Sequence, residues 1–83
     1  MRAIAELPHP ECKITIFSMN QKYLIKLEKG AFEQTYKISE LDLADGLNGV
    51  FQLIDDEFIA GAVQRFVEMR DDFTTAYKRY ESK

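Results

Sequence analysis

One cysteine and one histidine among 83 residues exclude two large classes of small protein. A single Cys12 cannot form an internal disulfide framework. One His and one Cys also fall short of the three or four ligands a zinc site requires. The two prolines, Pro8 and Pro10, sit close together, and no repeat or low-complexity linker divides the chain. Apolar runs last only a few residues, far short of the roughly 20 needed to cross a bilayer, so no membrane span is expected. Gly-rich phosphate loops, serine elbows and paired histidines are missing too. The chain opens without a leader of basic, apolar and small-residue segments, which makes the cytoplasm its expected location.

What is present suits a globular fold. Apolar residues make up 46% of the chain and aromatics 12%, too much for a disordered one. The length predicts a single domain, 1–83, whose core is small, and association is one way for such a domain to gain stability. The net charge of −3 is unevenly shared: residues 1–38 carry six Lys/Arg against four Asp/Glu, and residues 39–83 five against ten. The acidic C-terminal half discourages its own approach to phosphate backbones.

Residues 11–38 alternate with a period of two and predict a three-stranded antiparallel β-meander. With Asn20-Gln21 as the first two-residue loop, Lys13 faces Glu28, Thr15 faces Lys26, Phe17 faces Leu24 and Met19 faces Lys22. With Lys29-Gly30 as the second, Lys26 faces Glu33, Leu24 faces Thr35 and Leu27 faces Phe32. Ile14, Ile16, Ile25 and Leu27 then share one face with Tyr23, Phe32, Gln34 and Tyr36. A one-residue slip would send those apolar side chains into water. Ala3-Ile4-Ala5 offers a short edge strand as the alternative, but Pro8 and Pro10 flank His9 and hold it extended, so residues 1–10 read as a surface lead-in to the first strand.

Beyond Ile38 the period changes. Ser39 before Asp42, with Leu43, Leu47, Val50 and Ile54 at helical spacing, predicts a short helix over 39–54. Gly46, Gly49 and the turn dipeptide Asn48-Gly49 oppose it, so a fourth strand over 50–54 is the alternative. Residues 55–81 predict a long amphipathic helix with Asp55, Asp56 and Glu57 at its start and Lys78, Arg79 and Lys83 near its end. Ile59, Ala62, Phe66, Met69, Phe73, Ala76 and Tyr80 mark its apolar stripe. Glu68, Asp71 and Asp72 crowd like charges where a kink would form. The fold class expected is therefore α+β, with the sheet covered on one face by the C-terminal helices.

Such a helix spans roughly 37 Å from Asp56 to Tyr80, against about 27 Å for eight-residue strands, so some two turns overhang the sheet. The overhang points to a homodimer whose contact includes Phe66, Met69, Phe73, Tyr77 and Tyr80. The expected function is a small non-catalytic protein-interaction module that self-associates, with no cofactor and no partner named by any motif. The alternative is a single-stranded nucleic-acid binder. It would use an outward sheet patch of Phe17, Met19, Lys22, Leu24 and Lys26, in which an apolar island is rimmed by lysines. Against it, Phe17 is the patch's only aromatic and Glu28 and Glu33 oppose phosphate.

Three further clusters carry weaker chemistry. His9, Glu11 and Cys12 have the atoms for a thiol nucleophile or a metal, but the alternation turns Cys12 toward the core. Asp42, Asp45, Asn48, Asp55, Asp56 and Glu57 lack calcium-loop spacing and serve as caps and first-turn acids. Asp55 and Asp56 form a carboxylate pair without a partner base. In element order alone, three strands before a helix resemble the last four elements of a double-stranded RNA-binding domain, although that family places lysines where this chain has Asp55, Asp56 and Glu57. A strand at 50–54 would make the order similar to one repeat of the Pur-alpha family. No residue motif matches either family, so neither resemblance transfers a site.

Overall fold

In the computed structural model, which describes residues 1–83, the chain forms strands β1 (Arg2–Leu7), β2 (Lys13–Met19), β3 (Lys22–Lys29) and β4 (Phe32–Ser39). A 3-10 turn over Glu40–Asp42 and helices α1 (Leu47–Leu53) and α2 (Asp56–Glu81) follow. The fold is α+β, with one antiparallel sheet in the order β1-β2-β3-β4. The sheet has four strands rather than three. The added one is β1, inside the segment expected to be a lead-in, and it pairs with β2 through a register shift between Ala3 and Ala5. Pro8 and Pro10 lie beyond its end, in the β1–β2 connection, where their missing N–H groups cost the ladder nothing.

The β2–β3 register is the expected one, with Ile16 opposite Ile25 and Phe17 opposite Leu24. Asn20 and Gln21 take positive φ angles of 49° and 64°, as a type I′ hairpin turn demands. The β3–β4 register differs. Its loop is Gly30-Ala31, so Lys29 faces Phe32, Leu27 faces Gln34, Ile25 faces Tyr36, Lys26 faces Thr35 and Leu24 faces Lys37. The cause is Gly30, whose φ of 59° suits the first central position of a type II′ turn, where Ala31 needs no positive φ. A Lys29-Gly30 loop would have forced Lys29 into the left-handed region. Each pairing moves by two residues, so β4 keeps the same face inward.

Ile14, Ile16, Ile25 and Leu27 are fully buried beneath Val50 of α1 and Ile59, Ala62 and Phe66 of α2. The helix expected over 39–54 is confined to 47–53, and 50–54 forms no strand. Ser39 caps only the 3-10 turn, accepting from the Leu41 N–H at 3.2 Å. Gly46 then takes φ 55° and ψ −127°, which breaks any helical run before α1 begins. The start of α2 is set by the Asp55 carboxylate, which accepts from the Phe58 N–H at 2.8 Å. No interruption appears at Glu68, Asp71 or Asp72, where a kink was expected: α2 is one continuous helix. No helix is long and apolar enough to cross a membrane.

Candidate functional site

The stripe along α2 changes role along its length. Ile59, Ala62 and Phe66 are buried, and Met69 is half-buried against the same core. Phe66, at 3% exposure, belongs to the chain's own core and is struck from the expected contact surface. Farther on, Phe73 meets Phe32 edge-on with ring centroids 5.9 Å apart. Phe73, Tyr77 and Tyr80 nevertheless stay 61%, 52% and 70% exposed. Tyr77 and Tyr80 lie 5.9 Å apart, centroid to centroid, and form a continuous aromatic surface on a helix that has left the sheet. The longest dimension of the molecule, 51 Å, reflects that projection.

Where α2 crosses β4, a polar network fixes the helix to the strand. The Gln34 amide donates to the Ala62 carbonyl at 2.8 Å, while its Oε1 accepts from the Tyr36 hydroxyl at 2.7 Å and from Arg65 Nε at 3.0 Å. Arg65 Nη2 also donates to the Tyr36 hydroxyl at 2.8 Å, and Phe58 packs edge-on against the Tyr36 ring at 5.1 Å. Sequence reasoning missed this cluster. Its one signal was Gln34, a polar residue on the inward face of an otherwise apolar alternation.

The outward face is less open than its composition suggests. Leu24 is only 8% exposed, Thr15 is buried, and Phe17, Met19 and Lys26 are half-buried, leaving Lys22 exposed at one end. Lys26 is held by Glu33 at 3.2 Å and by Glu28 at 4.0 Å. The hydrogen bond to Glu33, reinforced by the charges of Glu28 and Glu33, raises the Lys26 ammonium above the ordinary lysine range. Glu33 reaches Lys26 diagonally, because Glu28 is the residue opposite it. Lys13, opposite Glu28 in register, pairs instead with Glu6 of β1 at 3.4 Å.

An open recess of about 580 Å³ lies along residues 6–13 and includes His9, Glu11 and Cys12. His9 Nδ1 accepts from the Glu11 N–H at 3.1 Å, which commits the ring to the local turn. Cys12 is buried in the core cluster, and burial pushes its thiol above the ordinary value, with Lys29 opposing and Glu11 adding to the shift. Glu11 accepts from Lys29 Nζ at 3.4 Å. A protonated, buried thiol is a poor nucleophile. No group of three or more His, Cys, Asp or Glu side chains gathers where it could hold a metal ion. Compared with protein-family models, curated proteins and solved structures, the chain shows no significant match to any.

Proposed function

We propose that this protein is a small non-catalytic interaction module that self-associates as a homodimer through the projecting half of α2. We place it in the cytoplasm, where a free thiol such as Cys12 stays reduced. The observation that carries the reading is the aromatic set Phe73, Tyr77 and Tyr80, each more than half exposed and borne on a regular helix. Contiguous apolar surface on a small soluble domain marks a contact site. A second copy of the chain is the commonest partner to cover them, through closed two-fold pairing. Light scattering at tens of micromolar protein should read twice the 9.6 kDa chain mass. A single-chain mass under those conditions overturns the proposal.

A further inference from the structure

We infer that two copies pair along the free edge of β4, antiparallel and centred on Thr35, which joins their sheets into one. The inference rests on the self-association proposed above and names how the copies meet. The two sheet edges are built differently. β1 carries a register irregularity at Ala3–Ala5, and Pro8 follows it, both devices that blunt an edge. β4 is regular over its eight residues and pairs only with β3. In a hairpin closed by a two-residue loop, Lys29 and Phe32 exchange hydrogen bonds. The alternation then turns the backbone N–H and C=O groups of Glu33, Thr35 and Lys37 toward the open edge. No turn, loop or side-chain hydrogen bond of the protein reaches those groups.

The side chains select one register. With Thr35 opposite its own copy, Glu33 faces Lys37 of the other chain on both sides of the two-fold axis, and at Glu33, Thr35 and Lys37 the backbone groups of both chains are aimed across. Lys37 has no ionic partner within its own chain, whereas Glu33 holds Lys26 with a side chain still 56% exposed. The ends agree. α2 passes β4 at Phe32 and carries Tyr77 and Tyr80 beyond it. At the other end, just past Ser39, Leu41 stands 92% exposed. Antiparallel pairing sets the aromatic end of each chain beside the Leu41 end of the other. A stable interface buries about 800 Å² per partner, more than a bare strand edge supplies, so these ends supply the remainder.

A charge swap tests the register. Glu33→Lys and Lys37→Glu each put like charges opposite one another twice, so each variant alone should dimerise about ten-fold more weakly than the unaltered chain in sedimentation equilibrium. Mixed in equal amounts they should recover unaltered affinity, because Lys then meets Glu at both pairs formed by positions 33 and 37. Both positions are exposed, and circular dichroism reports whether each variant keeps its fold. In the unaltered dimer the Thr35 amide should be protected from hydrogen exchange and should lose that protection on dilution. A dimer in which both variants associate as tightly as the unaltered chain and the Thr35 amide exchanges like a loop overturns the strand pairing alone. A monomeric unaltered chain overturns this inference and the self-association together.

Discussion

Phe73 stands edge-on to Phe32, with ring centroids 5.9 Å apart and the planes inclined at 75°. This contact marks where α2 leaves the sheet, since every residue from Arg70 onward is exposed. The apolar pattern of the helix does not stop there. Phe73→Asp combined with Tyr77→Asp should therefore abolish self-association, because the charges would be desolvated in the contact. The isolated chain loses only the edge of Phe32, so its fold should survive in circular dichroism. Stability should fall at concentrations where the unaltered protein is a dimer, by the loss of mass action. A double variant that stays dimeric with unchanged stability moves the contact away from α2.

The core depends on four aliphatic side chains at the centre of the sheet. Ile16→Ala or Ile25→Ala, at the facing pair of β2 and β3, should each cost about 2–5 kcal/mol in urea unfolding. Lys22→Ala, at an exposed position, should stay within about 0.5 kcal/mol. Total stability for a chain of this size is about 5–15 kcal/mol, so either core change should leave a visible unfolded population.

The turns make opposite predictions for the same residue type. Gly30 has a φ of 59° and open space where a Cβ would go, so Gly30→Ala should destabilise through backbone strain alone, by about 1–2 kcal/mol. Gln21 occupies the left-handed region at φ 64°, and Gln21→Gly should stabilise by up to about 1 kcal/mol once the entropy of the added glycine is subtracted. Thermal unfolding of the two variants beside the unaltered chain checks both signs.

Cys12 is raised above the ordinary thiol value chiefly by burial. An acid whose pKa is raised in the fold favours the neutral form there. Its contribution to stability is thus fully present below the unfolded thiol value and is lost as pH rises through the folded one. Native protein near neutral pH should react with a thiol reagent far more slowly than denatured protein, and equilibrium stability should fall above the ordinary thiol range. Equal rates for native and denatured chains would contradict the burial.

The outward face makes a negative prediction. Lys26 is engaged by Glu33 and Glu28, so the unaltered protein should give no mobility shift of a single-stranded oligonucleotide at physiological salt. A micromolar shift that weakens steeply with added salt would transfer the function to Phe17, Lys22 and their neighbours.

The sequence by itself determined what a period of two and a local turn can encode. The β2–β3 register follows from two alternating runs joined by Asn20-Gln21, since any slip of one residue exposes Ile14, Ile16, Ile25 and Leu27 together. The inward face of β4 followed on the same ground. Its register did not, because a shift of two preserves the face. Only the backbone conformation of Gly30, placed first in its turn, separated the two solutions. β1 depended on tertiary structure still more: its ladder is made with a strand beyond a proline-bearing loop, and the bulge at Ala3–Ala5 breaks the alternation that would have announced it. Tertiary structure also divided the α2 stripe. Phe66 and Phe73 are the same residue type in the same periodic pattern, yet the sheet lies under one and ends beneath the other, and burial follows the surface that is available to pack against.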